Sequence, residues 1–342
     1  MDYDVCTSLP AMFFDNTAEM GDRGFLWERR DGAWHSISGA AAHSDAAALG
    51  SALKSLGVAK GDRIALVSAN RPEWLIADIG IMAAGAITVP AYVTNQVSDH
   101  LHILRDSGAK GAIVSGPSLA RNLLPAAKEA GLEFVISMAP LDGDADDSNA
   151  NSPAIHLWSD LIAAQGGAAP DTSAISRTDT ACLIYTSGTG GTPKGVMLSH
   201  GAILSNCKGA YHLLLDFGLD DEVFLSFLPL SHSYEHTAGL MFPLSIKAEI
   251  YYAESVDKLA ANMEEVKPTI MTAEGTRLSP VECLLDPLLT KLVRKKVAGR
   301  FGGRLKAMVS GGAPLNYEVG VFFKALDVEL LQGYGQTESA PI

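Results

Sequence analysis

The 342-residue chain is 47% hydrophobic, has a mean hydropathy of +0.15, contains 33 glycines and carries a formal charge of −13. Its length exceeds one ordinary core, so one large multi-lobed domain or two domains are expected, and the apolar content excludes disorder for most of it. The acidic balance, with no basic stripe interleaved with aromatics, excludes a general nucleic-acid binder.

In chain order, the acidic start MDYDVCTSLP lacks the basic and apolar regions of an export signal. RIALVSA at 63–69 is a compact apolar strand, and RPEWLIADIGIMAAG follows with Pro72 and Glu73 where the first turn of a helix favours them. The apolar stretch 74–93 is long enough to raise a membrane span, but Asp78 lies inside it, and Gly85 and Pro90 divide it into a buried helix and a strand. Next come AITVPAYV, a helix from Ser98 to about Ser107 stopped by Gly108, GAIVSG, a helix around 118–130 ending at Gly131, and FVISM. This alternation predicts a mostly parallel sheet with helices on its faces. Between Ala139 and Thr180 there are seven Asp against one Arg, −6 of the net −13, which reads as a solvated connector with a short element near IHLWSDLIA. The alternation resumes with TACLIY, a helix near 200–214, EVFLSFLPL, AEIYYAE, a helix VDKLAANMEEV, TIMTA, RLKAMVS, a helix at NYEVGVFFKAL and VELLQGYGQTE. The expected fold class is therefore α/β: a first lobe over 1–138, an acidic linker over 139–180 and a second lobe over 181–342, similar in kind but without a sequence repeat. The basic run KLVRKKVAGR at 291–300 reads as a solvated helix face. Cys6, Cys182, Cys207 and Cys283 show no paired spacing and point to free thiols in a reducing, cytoplasmic compartment.

YTSGTGGTPKGVMLSH at 185–200 packs five hydroxyl residues, four glycines and Lys194 between two short apolar runs. Glycines let backbone N–H groups converge on an anion, hydroxyls add donors and the lysine adds a mobile charge. Pro193 before Lys194 and Gly195 after it exclude a Walker A loop, and the dinucleotide fingerprint fails at Pro193. A helix is expected only from the N-cap Ser199, so the loop lies between two strands and presents no helix dipole to the phosphate.

Three further clusters follow strands, where open α/β sheets bind ligands. LPLSHSYEH at 228–236 contains the H-x-x-E-H pattern of inverted zinc peptidases, but Pro229 and the preceding strand predict a loop, which argues against zinc. SGGAPL at 310–315 serves equally as a tight turn or as a place where a flat ring approaches the backbone. GYGQTES at 333–339 offers Tyr334 as a stacking face, Gln336 and Thr337 as hydrogen-bonding groups and Glu338 as an oxygen ligand for Mg²⁺. Together these clusters describe a site for a purine nucleotide with its metal and polyphosphate.

YTSGTGGTPKG, LPLSHSYEH, SGGAPL and GYGQTE, supported by GVAKGDRIALVSANRPEW and AAGAITVPAYVTN, resemble the AMP-forming adenylate ligases, and among them the bacterial long-chain fatty acyl-CoA synthetases. The resemblance runs over nearly the whole chain; Gly190 stands where the family's loop has a second Thr. It implies the large N-terminal domain of an acyl-adenylate-forming enzyme, with two similar sheets and flanking helices. It also implies a two-step reaction in which a carboxylate attacks the α-phosphate of Mg·ATP and the CoA thiol then displaces AMP. Carried over, Thr186, Ser187, Gly188, Thr189, Gly190, Gly191, Thr192 and Lys194 would hold the β- and γ-phosphates. Gly311, Gly312 and Ala313, turned by Pro314, would sandwich adenine with Tyr334; Gln332, Gly333, Gly335 and Gln336 complete the nucleotide site. Thr337 would contact the α-phosphate, Glu338 would hold Mg²⁺ and His232 would border the acyl carboxylate.

The family continues beyond GYGQTE through a ribose-binding Asp, a hinge and a small domain carrying the adenylation lysine, so a truncated copy is expected. EGTRLSPVECLLDPL at 274–288 replaces the family's Val-Pro-Arg and helical insert, which suggests a deletion or frame disturbance. Alternatives to the ligase are an adenylating enzyme with another thiol acceptor and a non-catalytic nucleotide-binding remnant. The expected partners are fatty acid, ATP and CoA. A fatty substrate gives reason for peripheral contact with the inner membrane face, although no amphipathic anchor stands out.

Overall fold

The computed structural model describes residues 1–141, 152–166, 170–186, 192–274, 301–311 and 329–341. The expected helix at NYEVGVFFKAL, the segment 275–288, the basic run 291–300 and Cys283 lie outside them.

The chain opens with α1 (Leu9–Met20), the hairpin β1 (Gly24–Arg30) and β2 (Ala33–Ser38), and α2 (Gly39–Ser55). Asp31 and Gly32 close the hairpin with φ of 52° and 80°, the left-handed pair that a two-residue turn requires. Then follow β3 (Arg63–Val67), α3 (Pro72–Ala83), β4 (Ile87–Pro90), α4 (Val97–Ser107), β5 (Ala109–Val114), α5 (Pro117–Ala130), β6 (Phe134–Ser137), β7 (Ala154–Leu157) and α6 (Trp158–Ala163). A second hairpin, β8 (Thr180–Thr186) and β9 (Lys194–Ser199), leads into α7 (His200–Leu214). The rest comprises β10 (Val223–Ser226), a π-helix (Glu235–Met241), α8 (Phe242–Ser245), β11 (Glu249–Tyr252), α9 (Leu259–Val266), β12 (Ile270–Glu274), β13 (Ala307–Gly311) and β14 (Leu330–Gln332).

Most predicted boundaries hold within a few residues. Pro72 opens α3, Gly108 ends α4 in the left-handed conformation, and the Ser199 hydroxyl accepts the N–H of Ala202 at 3.2 Å to cap α7. The apolar stretch 74–93 divides at Gly85 (φ +84°) into α3 and β4; among the described residues no helix is long and apolar enough to cross a membrane.

Among the described residues two seven-stranded sheets result, ordered β7-β6-β5-β3-β4-β8-β9 and β14-β13-β12-β10-β11-β1-β2. Each is parallel except for one antiparallel edge strand, β9 or β2. The two orders coincide position for position, with β10 standing where β3 stands and hairpin β1–β2 where β8–β9 stands.

This corrects the division at 138 and 181: β8 and β9 complete the first sheet, whereas β1 and β2 complete the second. Within 139–180 the short element expected near IHLWSDLIA is β7 with α6, of which β7 pairs with β6 and α6 packs on α2. The physical reason is long-range: an edge strand is placed by the sheet with room for it, and local sequence does not say which. One contiguous core joins the lobes, taking Ile64, Trp74 and Cys182 from one and Phe224, Leu240, Tyr252 and Ile270 from the other.

Candidate active site

Hairpin β8–β9 holds the glycine-rich loop as strand, loop, strand, with Thr186 paired to Lys194. Tyr185 anchors it from below: its hydroxyl donates to Asp106 at 2.7 Å, and burial followed by Asp106 pushes that hydroxyl's pKa up. Gly195 lets the ring lie flat, since a Cβ there would sit 3.1 Å from Tyr185. The His102 imidazole contacts the Pro193 carbonyl at 2.9 Å, so α4 steadies the far side. Thr192 and Lys194 are exposed and Thr186 is half-buried; Ser187, Gly188, Thr189, Gly190 and Gly191 lie outside the described residues.

The segment after β10 ties the site together. Ser233 and Tyr234 begin a helical turn and Glu235 starts the π-helix, so the expected loop around the H-x-x-E-H pattern is a helix after all. Pro229 breaks only the strand, and it ends before the helix begins. Successive side chains then reach different elements. The Ser233 and Thr337 hydroxyls lie 3.1 Å apart. Tyr234 donates to the Val309 carbonyl at 2.7 Å, and its ring occupies the space beside Gly311, where a Cβ would lie 2.6 Å away. Glu235 accepts the hydroxyls of Ser226 and Thr272, both at 2.7 Å. His236 Nε2 meets Asp78 Oδ2 on α3 at 2.9 Å, with both side chains fully buried. Thr237 donates to the Ala340 carbonyl at 3.1 Å.

The paired His and Glu of the zinc pattern thus point to separate partners, and among the described residues no group of three or more His, Cys, Asp or Glu is placed to hold a metal. Burial pushes the Glu235 carboxyl up to about 7, against the pull of the Thr272 and Ser226 hydroxyls. Gly239 makes room for that carboxyl: a Cβ there would be 2.4 Å from it. Asn70, in the loop after β3, clamps the approach to His232 by donating to the Leu228 carbonyl at 2.7 Å and accepting the Leu230 N–H at 3.2 Å.

The GYGQTES segment leaves β14 and closes on this helix. The Gly333 N–H bonds to the Ser310 carbonyl at 2.8 Å, and Thr337–Ser339 form a single 3₁₀ turn that lies against β9. Asn206 on α7 donates to the Ser339 carbonyl at 2.9 Å. A polar pocket of about 160 Å³ is lined by His232, Ser233, Gly333, Gly335, Gln336 and Thr337 among others. The His232 Nδ1 accepts the Tyr234 N–H at 3.2 Å, which puts the proton of a neutral ring on Nε2. Tyr334 is 86% exposed with an open ring face, and Glu338 is also exposed. Gln332 lies at the end of β14, and Gly312, Ala313 and Pro314 lie outside the described residues.

Beside the polar pocket, and sharing Gly333 and Pro341 with it, is a cavity of about 580 Å³ between α7, the π-helix and strands β10, β12, β13 and β14. Leu213, Leu214, Phe224, Phe242, Ile270 and Leu331 make its wall apolar. Four of its polar neighbours donate to the protein, Ser205 to Gly201, Asn206 to Ala202 and Ser339, Thr237 to Ala340 and Thr272 to Glu235, while the exposed Gln332 and Tyr334 line its outer edge.

Residues 13–342 match the family described as AMP-binding enzyme. The chain belongs to that family. It is 29% identical over 385 residues to the long-chain-fatty-acid–CoA ligase FadD15 of Mycobacterium bovis, covering 97% of this chain and 61% of that protein. It is 27% identical to fatty acyl-CoA synthetase A of Dictyostelium discoideum, covering 94% of this chain and 53% of that one. The chain thus spans about three-fifths to one half of these relatives' length. Among solved structures, a benzoate CoA ligase from Burkholderia xenovorans superposes with a TM-score of 0.76 at 25% identity, over 98% of this chain and 62% of that one. The A-PCP didomain of a carboxylic acid reductase from Segniliparus rugosus, in complex with AMP, superposes with a TM-score of 0.81 at 20% identity, over 98% and 53%. The latter likeness bears on the fold alone.

Asn70, Asp78, Ser226 and Thr272 escaped the sequence reading. Asp78 carried a signal, as an acid within an otherwise apolar helix; the others are ordinary polar residues whose role depends on partners far away in the chain.

Proposed function

We propose that this AMP-binding domain adenylates an aliphatic carboxylic acid, and that the whole protein passes the acyl group to the thiol of CoA. The observation that carries the reading is the union of a small polar pocket with an apolar cavity in which the Ser205, Asn206, Thr237 and Thr272 side chains donate to protein acceptors, while Gln332 and Tyr334 stand at its exposed edge. A carboxylate head suits the first and an unfunctionalised hydrocarbon tail the second; a hydroxylated aromatic acid would leave its polar groups without partners there.

In this reading the carboxylate oxygen attacks the α-phosphorus and the bond to the bridging oxygen of pyrophosphate breaks. His232 Nε2–H borders the carboxylate and Thr337 the α-phosphate. Lys194, with Thr186, Ser187, Gly188, Thr189, Gly190, Gly191 and Thr192, holds the leaving pyrophosphate. Adenine lies between Gly311–Ala313 and Tyr334, whose open face suits stacking. An exposed lone Glu338 fits Mg²⁺, which is held by one or two carboxylates with substrate phosphates and water completing its shell. Bound there, the ion would neutralise charge on the phosphates. CoA as acceptor rests on what the relatives' names say of them.

ATP–pyrophosphate exchange with octadecanoic, benzoic and 4-hydroxybenzoic acids tests the reading. Exchange driven by the aliphatic acid supports it; exchange only with the aromatic acids overturns the substrate class.

A further inference from the structure

Glu235 is a carboxyl with no exposed surface, and no cation pairs with it among the described residues. Both its oxygens accept hydroxyl protons, from Ser226 at the end of β10 and from Thr272 on β12. These two hydroxyls differ in surroundings. Ser226 is buried beneath the Asn70 amide, 3.5 Å away, whereas Thr272 lines the apolar cavity. A carboxylate is acceptor-only, so while it is ionised both protons stay pointed at it. The Phe227 backbone N–H also donates to this carboxyl, and a group at 235 that instead donates a hydrogen bond to one of the two hydroxyls frees that hydroxyl's proton. The Thr272 proton has the cavity to turn into, whereas Ser226 lines neither the cavity nor the polar pocket.

We propose that Glu235 is a specificity-determining positioning residue: by accepting the Thr272 hydroxyl it withdraws a hydrogen-bond donor from the cavity wall and so excludes acyl chains bearing polar groups. The inference rests on reading the cavity as the acyl site. It also accounts for a buried ionisable group where a neutral residue would fold more favourably, since the π-helix, Gly239 and the two hydroxyls all accommodate it. The ionisable group facing it from β11 is the Tyr252 hydroxyl, whose pKa is pushed up by burial and then by Glu73 on α3, Glu235 and Glu28 on β1. His236, its neighbour in the chain, turns instead to Asp78 on α3.

The test is binding, read by displacement of a fluorescent polyene fatty acid from the full chain, comparing octadecanoic acid with its mid-chain hydroxylated analogue. The preference for the plain acid is expected to be about tenfold at pH 8, to fall several-fold in Glu235→Gln, and to return in Glu235→Gln combined with Thr272→Val, which removes the freed hydroxyl. Wild type taken from pH 8.5 to pH 6 should lose preference in the same direction, which keeps the proposal testable if Glu235→Gln fails to fold. An unchanged ratio in Glu235→Gln, or in wild type across that pH range where the variant does not fold, overturns the proposal. Ala210→Phe, which fills the cavity, separates the two readings. If it abolishes fatty-acid binding while the ratio stays fixed, only the role of Glu235 fails; if it leaves binding intact, the cavity reading fails and the proposal with it.

Discussion

The first and second sheets share one strand order but put the same position to different use. After β3 the chain runs through Asn70 into α3, whose residues from Trp74 to Ala83 are all buried. After β10, the matching strand, it runs through His232 into a helical turn and π-helix whose side chains together reach β10, β12, β13, α3 and the turn after β14. The first helix is packing; the second is a junction. They meet at Asp78 and His236, with the edge of Trp74 against the imidazole at 5.8 Å. A duplicated topology therefore lets one copy act as a rigid mount for the other.

Five changes break or sharpen that contrast. The largest effect is expected from Asp78→Ala, which leaves His236 buried without its partner: urea unfolding should show a loss of about 3 kcal/mol in one cooperative transition. Two separate transitions would mean that the sheets are less interlocked than their exchanged hairpins imply.

Glu235 gives an effect of similar size that depends on pH. Its carboxyl is protonated in the unfolded chain only below its ordinary 4.5, but in the fold up to about 7. Between these values the folded state binds more protons at this site, so the contribution of Glu235 to stability is greatest at low pH, falls through this window and stays lower above it. Glu235→Gln removes the dependence, and the stability of the variant relative to wild type should improve by about 3 kcal/mol between pH 4.5 and pH 8.

Asn70→Ala loses two backbone hydrogen bonds and should cost about 2 kcal/mol, with weaker fatty-acid binding but unchanged ATP binding, as judged by calorimetry. Helix glycines give the smallest contrast. A Cβ at Gly80 on α3 would lie 2.6–2.9 Å from Leu49, so Gly80→Ala should destabilise by about 1–3 kcal/mol. Gly209 on α7 faces open space at the cavity, and Gly209→Ala should stabilise by about 0.5–1 kcal/mol in thermal unfolding.

Much of the fold was legible because its signals are local: the apolar runs of β3, β5 and β6, Pro72 and Gly108 at helix ends, and Ser199 as a cap. The hairpin turned at Asp31-Gly32 was not read from the sequence, and nothing near it says that its strands complete a sheet more than two hundred residues away. The candidate site divides in the same way. His232, Thr337 and the glycine-rich loop stand out as motifs, whereas Asn70, Ser226 and Thr272 gain their roles only from partners that folding brings to them. Glu235 and His236 were visible as a motif of the wrong kind, because side-chain direction in a π-helix, and with it the choice of partner, cannot be read from spacing alone.

The central claim is that the aliphatic chain lies between α7, the π-helix and β14. A diazirine-bearing fatty acid, photolysed with the protein in the presence of ATP and mapped by peptide mass spectrometry, tests it most directly. The account predicts labels in peptides covering 205–214 and 330–341, suppressed by excess unlabelled acid. Suppressible labelling confined to other surfaces, with these peptides unmarked, would contradict it.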